Sequence, residues 1–187
     1  MGKVYDRIDE GVAEFIEKQR VFFVGTAPTG LDGHLNVSPK GLDSFRILGP
    51  TQVAYLDLTG SGIETVAHLR ENGRITIMFC AFEGRPLIVR LYGKGRVVEP
   101  SDAGWDGLIG AFPPHPGART IIVVDVDRVA DACGYSVPRY AYEGERTQLL
   151  DWSNRKGDSG LEAYRSQKNA ASIDGLPGLS TKAEAGR

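Results

Sequence analysis

The 187-residue chain is poor in cysteine, with two, and holds only three histidines, two tryptophans and two methionines. Cys80 and Cys133 lie far apart, without a CxxC pair or a histidine-rich partner segment. That argues against a disulfide framework and a zinc site, and the expectation is two buried, reduced thiols in a cytoplasmic protein. The chain also lacks an excess charge of either sign: 22 basic side chains face 24 acidic ones. A phosphate-backbone binder needs a concentrated cationic face, so nucleic acid is not an expected partner. Long apolar runs are missing as well; no stretch approaches the roughly 18 apolar residues of a membrane helix. The first twenty residues are charged where a signal peptide would be apolar, so neither membrane nor export is expected.

What is abundant is punctuation. The 24 glycines and 10 prolines imply many turns and short elements. Ile8, Val12, Phe15 and Ile16 fall at helical spacing, with Asp6 as a cap and Asp9 in the first turn, which predicts a helix over 7–19. Apolar runs then follow at Val21–Thr26, Leu35–Ser38, Gln52–Leu58, Arg74–Phe82, Leu87–Val98 and Thr120–Val129. Short helical segments interrupt them too rarely for a doubly wound sheet, so a mainly β protein is expected: an antiparallel barrel with helices at its openings. Residues 1–132 would form that barrel. Residues 133–187 form a polar extension with helical candidates near 145–156 and 159–170, expected to dock on its own barrel or on a partner's.

Two segments carry chemical potential. In DLTGSGIETVAHLRENGR (57–74), Ser61 and Glu64 have capping-box spacing and Gly73 is placed to end the helix. Thr59, Gly60, Ser61 and Gly62 also put hydroxyls and unencumbered N–H groups where a helix N-terminus attracts phosphate. An ordinary capped helix explains the same letters. In HLNVSPKGLDSF (34–45), Pro39 cuts a short strand and frees nearby backbone groups beside Ser38 and Lys40. A strand end running into a solvated turn is the plain alternative. His34, His68 and His115 make no metal-ligand pattern, and His68 reads as a surface partner of Glu64 four residues earlier. No G-x-S-x-G elbow, P-loop or dinucleotide fingerprint is present.

The order of elements over residues 8–130, with NVSPKG (36–41), YLDL leading into TGSGIETVAHLRENGR, ITIMFCAF and the long RLYGKGRVV, resembles the pyridoxamine 5′-phosphate oxidase family, in its uncharacterised bacterial branch. The resemblance implies a split antiparallel β-barrel of the FMN-binding type with a helical C-terminal tail. It further implies FMN held between the protomers of a homodimer, with its phosphate near the TGSG turn and its ring against the NVSPK strand. The implied cofactor-binding residues are Asn36, Val37, Ser38, Lys40, Leu58, Thr59, Ser61 and Gly62.

Against the family pattern, Gly62 and Ile63 replace an Arg-Lys pair and Leu35 replaces an arginine. Arg74 and Arg90 are the candidates to supply the missing positive charge. The Arg-x-His segment of the true oxidases has no counterpart near the chain end, which argues against pyridoxamine phosphate as substrate. The expected activity is an FMN-dependent oxidoreduction of another small molecule or electron donor, the alternatives being a deazaflavin in place of FMN, a flavin-binding protein without turnover, or a structural dimer with an empty cleft. Arg139, Tyr140 and Trp152 would close over the flavin from the partner or simply pack the tail.

Overall fold

A computed structural model describes residues 2–180. Eight antiparallel strands form an open sheet, seven in the order β3-β2-β6-β7-β8-β5-β4 and β1 paired to β8 beside them. They are β1 (Val4–Tyr5), β2 (Phe22–Thr26), β3 (Asn36–Lys40), β4 (Phe45–Gly49), β5 (Gln52–Leu58), β6 (Arg74–Cys80), β7 (Ile88–Val98) and β8 (Ala118–Ala132). Helices α1 (Glu10–Glu17), α2 (Glu64–Asn72), α3 (Trp105–Ile109) and α4 (Gln148–Lys168) flank the sheet. The expected split barrel is the fold observed. Among the described residues no helix is long and apolar enough to cross a membrane.

Strand alternation divides the apolar residues between two faces. Inward, Val53 and Tyr55 of β5 and Ile122 and Val124 of β8 join Val24, Ile77, Leu91 and Val66 in the main core. Phe22, Phe45, Tyr55 and Phe79 meet there with ring centroids 5.0–5.7 Å apart. Outward, Ala54 and Leu56 of β5 and Ile121 and Val123 of β8 pack under α3 in a second cluster with Phe112. β8 holds the sheet together because it is 15 residues long. It pairs with β7 along one edge and with both β5 and β1 along the other.

Local chemistry moves several expected boundaries. Asp9 rather than Asp6 caps α1, its carboxylate accepting from the Val12 N–H at 2.8 Å. Pro39 does not end its strand; β3 runs through it to Lys40, which an edge strand tolerates because one of its sides needs no donors. The capping box does not form: Ile63 occupies the N-cap of α2 without a side-chain bond, and Glu64 instead accepts from the Ile173 N–H. Gly73 does end α2, in the left-handed region at φ 72°. His68 is fully buried rather than on the surface. Cys133 is exposed while Cys80 is buried, and both are free. α4 is two helices joined at Gly157, whose φ of 61° and ψ of 175° break the helical path.

One close approach is decisive for the sheet. At a bulge between β7 and β8, a Cβ on Gly93 would stand 2.1 Å from the Asp125 carbonyl oxygen. Gly93→Ala is expected to destabilise the protein by roughly 2–4 kcal/mol, lowering the melting temperature by about 5–10 °C. At Gly25 an added methyl meets its nearest neighbour at an ordinary 3.8 Å, so Gly25→Ala should melt within a few degrees of the parent; a thermal denaturation series checks both.

Candidate functional site

Asp57 stands near the end of β5 on the inward face, 1% exposed. Opposite it, the β5/β8 register skips one residue, pairing Asp57 with Thr120 and Leu58 with Ala118. Arg119 is the extra residue of that bulge, and a bulge re-aims the side chain it carries. Its Nε and guanidinium NH2 donate to Asp57 Oδ2 at 2.8 and 2.6 Å. Lys40, at the end of β3, donates to Asp57 Oδ1 at 3.0 Å. Burial pushes the Asp57 carboxyl up, but Arg119 and Lys40 outweigh it and leave the group at about 2.

Above this carboxylate sits the turn Thr59–Gly62. The Arg119 NH1 donates to the carbonyls of Gly62 at 3.0 Å and Gly60 at 3.4 Å. Asn169, the C-cap of α4, donates to the carbonyls of Gly60 at 2.9 Å and Ser61 at 3.4 Å and accepts from Arg119 at 2.9 Å. Three successive carbonyls are thus drawn inward. In a trans peptide the N–H points opposite to the C=O, and no cis bond occurs among the described residues. The N–H groups of Ser61, Gly62 and Ile63 therefore face away from the clamp, and none donates to a protein acceptor among the described residues. Ser61 and Gly62 are exposed. Arg165 donates from Nε to the Thr59 hydroxyl at 2.8 Å, and the same hydroxyl donates to the Gly117 carbonyl. Burial and the neighbouring Arg119 push the Arg165 guanidinium below its usual value.

A polar row runs on from Lys40 along the inward side of β3. The Asn36 amide donates to the Thr26 and Thr65 hydroxyls at 3.2 and 3.0 Å. Thr26 meets His68 Nδ1 at 3.0 Å, and burial lowers the His68 pKa. The Ser38 hydroxyl and His68 Nε2 are buried without a partner among the described residues. Pro39 has no N–H, so its pairing with Phe23 is not mutually bonded; Asn36, Ser38 and Lys40 bond to β2, and the Val37 backbone faces the free edge. Immediately beyond, Leu42 and Asp43 hold φ of 61° and 52°, a strain that marks this corner of the barrel.

The residues singled out from the sequence fall into groups. Asn36, Ser38 and Lys40 face inward. Thr59, Ser61 and Gly62 form the clamped turn, with Leu58 packed under the second cluster. Val37, Arg74 and Arg90 lie on the opposite, outer face of the sheet. There Val37, Arg74, Tyr92 and Lys94 line a groove of about 470 Å³. Arg74 donates to Asn72 and the Pro28 carbonyl, and Arg90 stands opposite Met78 and Ala130. Neither bonds to the turn; the cations that do hold it are Arg119 and Arg165. In the sequence, Asp57 and Arg119 border apolar runs, and that is the signal by which they can be found. Asn169 offers no sequence signal at all. In the tail, Tyr140 packs on Phe82 and Trp152 on Tyr164.

A sequence model of the pyridoxamine 5′-phosphate oxidase family matches residues 8–133. The chain belongs to that family. A pyridoxamine 5′-phosphate oxidase family protein of Aspergillus flavus, ustO, is 37% identical over 194 residues, a match covering 94% of this chain and 77% of that protein. Among solved structures, a variant of Group A Streptococcus HupZ is 22% identical with a TM-score of 0.52, covering 67% of this chain and 99% of HupZ. A pyridoxamine 5′-phosphate oxidase-related, FMN-binding protein of Nostoc punctiforme is 14% identical with a TM-score of 0.50, covering 70% of this chain and 86% of that one. Both likenesses show the shared fold. The family match ends at residue 133, so α4 and the Asn169 clamp lie beyond it.

The Asp57 cluster sets an acid limit on stability. The folded pKa of about 2 lies below the ordinary 3.8, so the contribution of Asp57 is complete above about pH 4 and is lost as the pH falls toward 2. Asp57→Asn leaves Arg119 and Lys40 without their buried counter-charge and is expected to cost about 3–5 kcal/mol near neutral pH. Denaturant titrations at pH 7 and pH 3 check this: the gap between parent and variant should narrow at the lower pH.

Proposed function

We propose that this chain binds FMN and acts as a flavin-dependent oxidoreductase, as a homodimer. One observation carries the reading: a turn whose three carbonyls are clamped inward presents three N–H groups outward at the start of a helix, beside a cluster in which Lys40, Arg119 and half-buried Arg165 adjoin one fully buried carboxylate. That arrangement suits a phosphate monoester. The residues fit the anionic end of FMN, which Ser61 and Gly62 would hold by their backbone. The FMN-binding description of the Nostoc relative supports the same cofactor.

Along β3, the unpaired edge at Val37 offers a donor and an acceptor to a flat heteroaromatic ring. Pro39 keeps a further strand from pairing fully there. When bound, FMN would supply the hydride or electron transfer, so the protein needs to contribute binding, orientation and exclusion of water. A homodimer is supported by the uncovered outer sheet face, where Leu35 is 80% and Val37 71% exposed beside half-buried Phe23 and Met78. The substrate is a small molecule or electron donor other than pyridoxamine phosphate, and the protein works in the cytoplasm. A flavin-holding role without turnover is favoured by one fact: Lys40, Asp57 and Arg119 saturate one another, leaving no free acid or base among them.

The test is spectroscopic. Protein mixed with FMN and desalted should retain flavin absorbance between about 300 and 600 nm, and a reductant that bleaches it catalytically would exclude the storage role. Loss of all colour on desalting would overturn the cofactor assignment. Glu64 supplies a finer probe: its carboxylate oxygen lies 2.7 Å from where a Cβ on Gly62 would stand. Glu64→Gln removes this negative charge and is expected to tighten FMN binding by roughly two- to fivefold, measured by fluorescence titration.

A further inference from the structure

Leu161, Arg165 and Asn169 recur every four residues on α4, so one stripe of the helix faces the barrel. Leu161 is 2% exposed and Asn169 fully buried. The Arg165 guanidinium also donates from NH2 to the Ala118 carbonyl at 2.8 Å, beside the bulge that aims Arg119. The chain then folds back on the helix end: the Leu179 N–H donates to the Asn169 carbonyl and the Gly178 N–H to that of Ala170. A Cβ on Gly178 would stand 2.1 Å from the Asn169 carbonyl oxygen. The return loop also reaches the other side of α2, where Arg70 bonds to the Gly178 carbonyl, Ser180 and Glu99.

Asn169 is therefore fixed on both sides. Its backbone is held by the loop, and its amide spans Arg119 and two carbonyls of the turn. Without that amide, Ser61 loses the sole protein donor to its carbonyl among the described residues, and there Gly60 keeps only the longer contact to Arg119. The peptide planes carrying the Ser61 and Gly62 N–H groups are then held less firmly, and the outward alignment of those groups loosens with them.

We propose that Asn169 and Arg165 of the C-terminal tail are positioning residues for the cofactor phosphate, so that docking of the tail assembles the phosphate-binding half of the site. This rests on reading the Thr59–Gly62 turn as that half. The tail acts through the turn: Asn169 sets the direction of the peptide planes, and Arg165 fixes the Thr59 hydroxyl and adds positive charge behind them. FMN and riboflavin separate this role from general support of the fold, because riboflavin presents the same ring without the phosphate.

The full-length protein and its variants Asn169→Ala, Asn169→Asp, Arg165→Ala and Arg165→Lys are titrated with FMN and with riboflavin, each variant first compared with the parent by circular dichroism. Asn169→Asp preserves size and the bond from Arg119 but replaces the donor facing the carbonyls by an acceptor. The expected result is at least tenfold weaker FMN binding for both Asn169 variants and for Arg165→Ala, partial recovery in Arg165→Lys, and riboflavin affinity within about twofold of the parent throughout. Equal loss of both ligands, or FMN affinity unchanged in a folded variant, overturns the proposal. A parent protein that binds neither ligand overturns instead the flavin reading on which it rests.

Discussion

A carboxylate with almost no access to water organises this protein. Asp57 is tolerable in the barrel interior only because two cations from different strands converge on it, Lys40 from the edge strand β3 and Arg119 from the neighbouring strand β8. Satisfying that charge requires the β5/β8 bulge, without which alternation would turn Arg119 toward the outer cluster. The bulge in turn gives Arg119 a hydrogen left over for the turn above. Fold and site thus share one constraint: the geometry that neutralises Asp57 also orders the backbone of Thr59–Gly62.

The cations nearest the turn are not the ones expected from the sequence. Where Gly62 and Ile63 stand in place of an Arg-Lys pair, the positive charge comes from behind the turn, through Arg119 and Arg165, rather than from the residues following the serine. A cation placed beneath a peptide segment orients its dipoles and adds charge at longer range. A cation beside a ligand bonds it directly. The first arrangement asks the polypeptide to contribute more of the contact through its own N–H groups, which suits a turn written Gly-Ser-Gly.

The barrel was legible in the sequence because its strands are apolar runs bounded by glycine, proline and aspartate, and the break at Gly157 was legible from the gap between two polar helical patterns. β4 was not: Phe45–Gly49 is short and carries Arg46 as its second residue. The capping box misled because Ser61 and Glu64 have the right spacing, yet Gly60 and Gly62 keep the chain in a turn until Ile63, and the tail takes Glu64 instead. His68 looked like a surface residue because its buried partners, Thr26 and through it Asn36, belong to other strands. The turn and β3 both stand out in the sequence, and the structure links them through Asp57, which takes Lys40 of β3 just before the turn. How the site's supporting layer comes together is not legible, because Asp57, Arg119 and Asn169 lie 50 or more residues apart and meet only through a one-residue slip in register.

The length of β8 bears on how the chain reaches this structure during synthesis. β5 and β7 leave the ribosome before the strand that joins them, and β1 waits for a partner about 125 positions downstream. Until residues 118–132 emerge, apolar strands with unpaired edges have only local hairpins to form, a topology that folds slowly and exposes sticky surface. The nascent barrel therefore has a vulnerable interval that ends with β8. Substitutions in this strand would be felt in chaperone dependence as well as in equilibrium stability.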